Sequence, residues 1–382
     1  MRKSALYALG LVVAALVALG LVVLFSASEV RGDRLYHDAW YFLKRQSMYI
    51  GVGVAIAAAV AAFDYRRWRD SWLLTAFFVA VVFVALLAVF AFPKVKGSYR
   101  WIVLGPFSFQ PGEFAKIATV MAVSAWLDLA AWRVELFRRG ALWPVAIIAL
   151  MAGPVMMEPD FGSVMVIASV GFMLMFVAGS RLLHMAPFVA LGMGVFGWRI
   201  FHNANRMARI AAFTGVSVEG AAGGAANSAA YQSDMSLVAI GRGGLWGVGL
   251  RRSMQKQNYL PEAWTDFIFA VGAEEMGLVF SIATILLFTA FFFISVYIAS
   301  KAADRFGRFL ALGMAFIVFF QAMFNVGVVC EAFPTKGMAL PFFSYGGTNM
   351  LGSFFAVGMI LSVGIHSLRD QRRAFSRKTL AG

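Results

Sequence analysis

ALYALGLVVAALVALGLVVLF, running from Ala5 to Phe25, contains no charged residue and no proline. A hydrocarbon core about 30 Å thick is crossed by about 20 apolar residues in a helix. The stretch therefore reads as a membrane-crossing helix. Arg2 and Lys3 ahead of it give it the look of a secretory leader. Its apolar run is longer than the roughly 7–15 residues of a leader core, and no clear small-x-small cleavage site follows. Runs of the same kind recur at approximately 5–26, 45–63, 72–92, 112–129, 142–157, 161–180, 182–200, 265–299, 309–330 and 345–367. The expected fold is all-α: a polytopic membrane protein of about ten transmembrane helices, forming a single integral membrane domain over 1–382.

Composition points the same way. Hydrophobic residues make up 61% of the chain and charged residues 14%, against about 25% charged in soluble domains. That leaves too little polar surface to cover a water-soluble globule. Cys330 is the single cysteine and there are four histidines, which excludes an intrachain disulfide and a cysteine-based cluster. No HExxH or Cys/His spacing suggests zinc. The net charge of +14 does not argue for nucleic acid. The basic residues form short clusters between apolar runs, where anionic membrane lipids are the natural partner.

Those clusters also predict orientation. With both termini cytoplasmic, the inner set is the N-terminus, 64–71, 130–141, 179–186, 300–308 and the basic tail 368–382. It holds about 17 Lys and Arg in about 57 positions, against about 14 in about 117 on the other side. Arg66-Arg67-Trp68-Arg69 and the stretch from Arg369 to Lys378 are the clearest anchors. The long segment 201–264, between the seventh and eighth helices, is then extracytoplasmic. Its Gly/Ala/Ser-rich middle, Gly215 to Ala230, is expected to be mobile. Its later Gly241-Arg242-Gly243-Gly244-Leu245-Trp246-Gly247 resembles a phosphate-binding loop only loosely, because it lacks the preceding strand and the P-loop lysine and hydroxyl.

Ionisable groups at membrane depth are costly, so they are the first functional candidates. Four sets fall at helix ends on the same, outer side. In Gln110-Pro111-Gly112-Glu113-Phe114-Ala115-Lys116, the acid and the lysine are three apart and share a helical face. A carboxylate favoured by the helix dipole is the plainer account, but a lysine one turn inside the helix exceeds it. In Met157-Glu158-Pro159-Asp160-Phe161-Gly162, Asp160 can cap the sixth helix. In Tyr259-Leu260-Pro261-Glu262-Ala263-Trp264-Thr265-Asp266-Phe267-Ile268-Phe269, Asp266 opens a long apolar helix that also carries Glu274 and Glu275, and three acids exceed what capping needs. The fourth set is Pro334-Thr335-Lys336-Gly337 followed by Leu340-Pro341-Phe342-Phe343-Ser344-Tyr345-Gly346-Gly347-Thr348-Asn349, a tightly folded loop of the kind tolerated where it lines a polar cavity. A snorkelling interfacial lysine is the plainer account of Lys336. Lys94, Lys96, Arg100 and Trp101 add cations and a tryptophan from the loop before the fourth helix. Cations would hold phosphate and a carboxylate would take a proton, which suits an anionic, membrane-embedded substrate.

At these residues the chain resembles the SEDS family (shape, elongation, division and sporulation), the peptidoglycan glycosyltransferases of bacterial cell walls. The resemblance covers nearly the whole chain, from Phe42 to Asn349. It is carried by Arg100-Trp101-Ile102 with Leu104-Gly105-Pro106, Phe109 to Glu113, Glu158 to Gly162, Tyr259 to Ala270 with Glu274-Glu275-Met276-Gly277, and Pro334 to Asn349. Gln255-Lys256, Tyr259 to Ala263 and Pro334 to Gly337 look more like the division branch, FtsW, than the elongation branch, RodA. The chain departs from the family at Gly112, usually Ser, at Trp264, usually His, and at the Gly/Ala stretch 220–230.

The resemblance implies polymerisation of lipid II at the outer face of the bacterial cytoplasmic membrane. The 4-hydroxyl of an acceptor GlcNAc would attack the anomeric carbon of a donor MurNAc-pyrophosphoryl lipid, inverting it to a β-1,4 link. The family's essential aspartate matches Asp266, the expected general base. Glu113 and Lys116 match polar positions of the family's central cavity. Lys116, Lys336 and Arg100 are expected to contact phosphate or position Asp266. Trp101, Asp160, Glu262 and Ser344 complete the set expected to line the cavity. A divalent cation, magnesium or manganese, could assist the pyrophosphate, although no ligand set is evident. The resemblance also implies a partner, a class B penicillin-binding protein that crosslinks the strands. Two other functions fit the same residues: a lipid II flippase, whose carboxylates relay protons, and a non-catalytic division scaffold.

Overall fold

The computed structural model describes residues 3–95, 97–105, 107–158, 160–202, 207, 223–254, 262–334 and 337–381. Helices follow one another as α1 (Lys3–Tyr36), α2 (Tyr41–Ala62), α3 (Arg66–Asp70) and α4 (Trp72–Ala88). After the hairpin β1 (Ile102–Leu104) and β2 (Phe107–Phe109) come α5 (Pro111–Ala130), α6 (Trp143–Met157), α7 (Phe161–Ala178) and α8 (Leu182–Phe201). The chain ends with α9 (Gly223–Gly243), α10 (Ile268–Ser300), α11 (Arg305–Val329) and α12 (Gly347–Ala381). Ten of the described helices are long and apolar enough to cross a membrane. They coincide with the ten runs read from the sequence, and the chain is a multi-pass membrane protein.

The helix ends follow local chemistry. Pro111 opens α5, where its missing N–H costs nothing. Asp160 caps α7 by accepting from the backbone N–H of Ser163 at 3.5 Å, and Asp304 caps α11 by accepting from that of Gly307 at 2.7 Å. Gly179, at φ +95°, closes α7 in the left-handed conformation.

The helices are not equally buried. In the apolar windows, 78% of α12 and 72% of α11 lie inside the protein, against 6% of α8. The centre is therefore α5, α7, α11 and α12, and α8 faces outward on one edge. At the end opposite the α5 N-terminus, Tyr65 donates to Asp304 at 2.7 Å, and Arg66 pairs with Asp304 at 3.3 Å and with Asp370. These contacts clamp α3, α11 and α12 together.

The helical architecture carries one short hairpin: β1 and β2 pair antiparallel, Ile102 opposite Phe109, around Gly105 at φ +60°. Three-residue strands are too short to declare a period. Some boundaries read from the sequence need correction. The first helix does not stop near residue 26 but runs to Tyr36, because Ser26 donates to Glu275 at 2.6 Å, Ser28 donates to its own helix, and Glu29 pairs with Arg251. The segment 201–264 contains α9, so 223–230 is helical. Alanine favours helix, and α9 packs along α10. The remainder of the stretch expected to be mobile, 215–222, lies outside the described residues. The basic tail continues α12 as helix to Ala381.

The glycine loop has a structural role. α10 is broken at Gly277, whose φ of 71° and ψ of −164° are open essentially to glycine alone. The loop after α9 fills the break. The amides of Val248 and Gly249 donate to Glu274 O and Glu275 O, both at 3.0 Å, and the amide of Leu278 donates to Gly244 O at 2.9 Å. The amide of Gly247 donates to Gly243 O at 2.7 Å, so three successive amides, 247–249, are engaged by backbone carbonyls. Gly277→Ala is expected to lower stability by about 2–4 kcal/mol, since strain adds to a clash with Leu245 and Gly247. A melting curve in detergent checks this: an unchanged midpoint would show that the break is incidental.

Candidate active site

Asp266 lies in a turn directly before α10 and is half-buried. Three consecutive carbonyls here are each held from outside the turn. Trp264 O accepts from the amide of Tyr345 at 3.0 Å, Thr265 O from the hydroxyl of Ser344 at 2.6 Å, and Asp266 O from Asn325 Nδ2 at 2.8 Å. The carboxylate rests against Gly337, where a Cβ would overlap Oδ2. Ser344 is itself buried: it accepts from the amide of Leu340 at 2.7 Å, and its carbonyl accepts from Gln46 Nε2 at 3.0 Å. Ser344 therefore braces the Asp266 turn. Glu262, at φ +58°, accepts from the Thr265 hydroxyl at 3.0 Å within the same turn. Arg31 lies 4.0 Å from the Trp264 ring centroid. Phe267 and Phe269 are core residues.

A second group lies at the start of α5. Lys116 is 2% exposed; its ammonium meets Glu113 at 2.8 Å and donates to Gln321 Oε1 at 2.7 Å. Gln321 Nε2 donates to Ala339 O at 2.9 Å and to Asn349 Oδ1 at 3.1 Å. One turn along α11, Asn325 bridges Asp266 O and Met338 O, the latter at 2.6 Å. A chain of polar contacts thus runs from Glu113 through Lys116 and α11 to the backbone of Asp266. The cavity beside the pair measures about 10 Å³, room for about one water.

The third group surrounds the turn between α6 and α7. Arg100 Nε donates to Glu158 O at 3.3 Å. Asp160 accepts from the Ser163 hydroxyl at 2.7 Å and from Gln110 Nε2 at 3.2 Å, so it both caps α7 and ties it to α5. The amide of Gln110 donates to Thr348 at 3.1 Å, which joins this group to the start of α12. Trp101 is half-buried just before β1. The three groups therefore occupy one end of the bundle. Lys336, Lys96 and Tyr259 lie outside the described residues.

Three residues escaped the sequence reading. Gln321 and Asn325 sit four apart in an apolar helix, a spacing that puts both on one face, and that signal was available. Glu158 shares its motif with Asp160, and the sequence alone does not single it out. It is 0% exposed, and among the described residues neither carboxylate oxygen has a hydrogen-bond partner. Burial, with Asp160 beside it, pushes its carboxyl up to about 8 despite Arg100. Glu274 and Glu275, read with Asp266 as one acidic set, instead hold the 248–254 turn. Glu274 accepts from the amide of Met254 and lies 3.5 Å from Arg242; Glu275 accepts from the amide of Ser253 at 3.3 Å.

The raised value at Glu158 has a measurable consequence. The folded protein keeps a proton there that the unfolded chain releases near 4.5. The associated stability is complete below about pH 4.5 and is lost as pH rises to about 8. Glu158→Gln is expected to abolish this slope, gaining on the order of 2–3 kcal/mol relative to wild type between pH 5 and pH 8. Parallel melting profiles of the two proteins over that range would contradict the assignment.

A family model for cell cycle proteins, covering FtsW, RodA and SpoVE, matches residues 7–369. The probable peptidoglycan glycosyltransferase FtsW of Trichlorobacter lovleyi is 38% identical over 354 residues, covering 92% of this chain and 91% of that protein. The crystal structure of the rod shape determining protein RodA of Thermus thermophilus aligns with TM-score 0.67 and 25% identity, covering 94% of this chain and 95% of that one. A chain from a peptidoglycan synthase complex that coordinates polymerization and crosslinking aligns with TM-score 0.71 and 23% identity, covering 94% and 98%. At that identity the last likeness is one of fold.

Proposed function

We propose, from the premise that this chain belongs to the FtsW/RodA/SpoVE family of cell cycle proteins, that it is a peptidoglycan glycosyltransferase with Asp266 as its general base. The observation that carries this reading is the turn before α10. Its backbone is fixed at three successive carbonyls while the carboxylate stands at the edge of the 337–346 loop. A base must be held in place before it can accept a proton in the transition state.

The substrate is lipid II. The acceptor 4-hydroxyl gives its proton to Asp266 as its oxygen bonds to the donor's anomeric carbon. The bond from that carbon to the pyrophosphate oxygen breaks, and the leaving group departs with the electron pair. One displacement inverts the centre and gives the β-1,4 link without a protein nucleophile. Arg100 and Lys336 supply positive charge for the pyrophosphate. Lys116, held by Glu113 and Gln321, acts on the placement of the Asp266 turn through α11. A divalent cation would have to be held mainly by the pyrophosphate, since no three His, Cys, Asp or Glu side chains converge among the described residues. No step above depends on it.

The density of Lys and Arg in the loops supports cytoplasmic termini and an outward-facing site in the bacterial cytoplasmic membrane. A class B penicillin-binding protein is the proposed partner. Purified full-length protein incubated with lipid II, alone and with the transpeptidase, tests the proposal. Glycan chains are expected. Lipid movement across liposomes without any polymer would instead establish transport, and neither product would leave a scaffold.

A further inference from the structure

A cavity lies at the opposite end of α5 from the site. It measures about 680 Å³ and is lined by Trp126, Leu129, Phe137, Arg138, Arg139 and Trp143, among others. Twenty residues of α5 separate the two ends, about 30 Å at 1.5 Å per residue, which is the thickness of a bilayer core. The cavity therefore opens at the other membrane face.

Its wall is built, not frayed. The chain from Phe137 to Leu142 winds as a single π-helical turn, a geometry often found at functional sites. Trp126 Nε1 donates to Arg139 O at 2.9 Å, and Ser180 donates to Gly140 O at 2.8 Å. The Trp126 and Trp143 rings lie 5.6 Å apart and form an aromatic corner. Against that corner Arg138 and Arg139 are exposed, and among the described residues neither has an ion-pair partner. The acid of the same loop, Glu135, is held by Arg181 at 2.7 Å. Asp128 has Arg69 and Arg305 as its electrostatic neighbours. Among the described residues, no carboxylate lines the cavity.

We propose that this cavity is a binding site for an anionic glycerophospholipid of the adjoining leaflet. The phosphate sits between Arg138 and Arg139, and the glycerol and first acyl methylenes lie against Trp126, Trp143 and Leu129. The charge is complementary and uncompensated by protein acids. The aromatic residues are those that settle at the headgroup level. The volume falls within the roughly 300–1,000 Å³ of ordinary ligand sites, and basic pockets between membrane helices hold such headgroups.

The test is native mass spectrometry of the full-length protein titrated with phosphatidylglycerol and, separately, phosphatidylcholine. Wild type is expected to retain phosphatidylglycerol preferentially. The double substitution Arg138→Ala/Arg139→Ala should weaken that binding about 30-fold at an unchanged melting temperature. Arg138→Lys/Arg139→Lys should recover most of it, which guards against a folding artefact. Arg372→Ala/Arg373→Ala removes the same charge elsewhere and should leave binding intact. Equal retention of the two lipids by wild type, or an equal loss in the tail variant, would overturn the proposal.

Discussion

Asp266→Asn is expected to lower the rate of lipid II polymerisation by about a hundred- to ten-thousandfold while the protein folds normally. The magnitude is that of a positioned general base. The substitution is isosteric, and three contacts that fix the turn are made by backbone carbonyls: Trp264 O, Thr265 O and Asp266 O keep their donors. Melting temperature should therefore stay within about 1 °C while glycan product disappears from gels. The two readouts separate chemistry from structure. Polymerisation at the wild-type rate would remove Asp266 as the base and shift attention to Glu262, in the same turn.

Lys116→Met is expected to cost about 3–5 kcal/mol of stability, because it strands Glu113 beside an apolar side chain with its charge uncompensated. Glu113 is 11% exposed and Lys116 2%, so water cannot take over for the missing partner. Glu113→Gln should cost a similar amount. The double variant Glu113→Gln/Lys116→Met, which removes both charges, should regain most of the loss, giving a coupling that a double-mutant cycle in detergent can read directly. Its activity is the informative value. Lys116 holds Gln321, and Asn325 one turn further along α11 holds the carbonyl of Asp266, so the double variant should fold yet turn over at least about tenfold more slowly. Recovery of both stability and rate would reduce the pair to a structural brace.

The spans were legible because a bilayer imposes a length, and apolar runs of about 20 residues satisfy it wherever they fall. Glu113, Lys116 and Asp266 were legible for the same reason in reverse: an ionisable group in an apolar helix is costly and draws notice. The reading faltered where meaning depended on a neighbour. The cap at Asp160 is legible in the sequence, whereas the contact by which Ser344 braces the Asp266 turn is not. Glu274 and Glu275 looked like companions of Asp266, yet their partners are Ser26, Arg242 and the 253–254 backbone.

By itself, then, the sequence determined ten crossings, the polar residues gathered at their ends and the family whose motifs they form. Only the tertiary structure decided which of those polar groups meet. Whether Glu158 finds a donor, whether the glycines at 243–249 bind an anion or fill the break at Gly277, and what holds Asp266 still are set by helices far apart in the chain. Hydrophobicity is a property of each residue alone, whereas a hydrogen bond needs two groups within about 3 Å, and that distance is settled by the packing of helices.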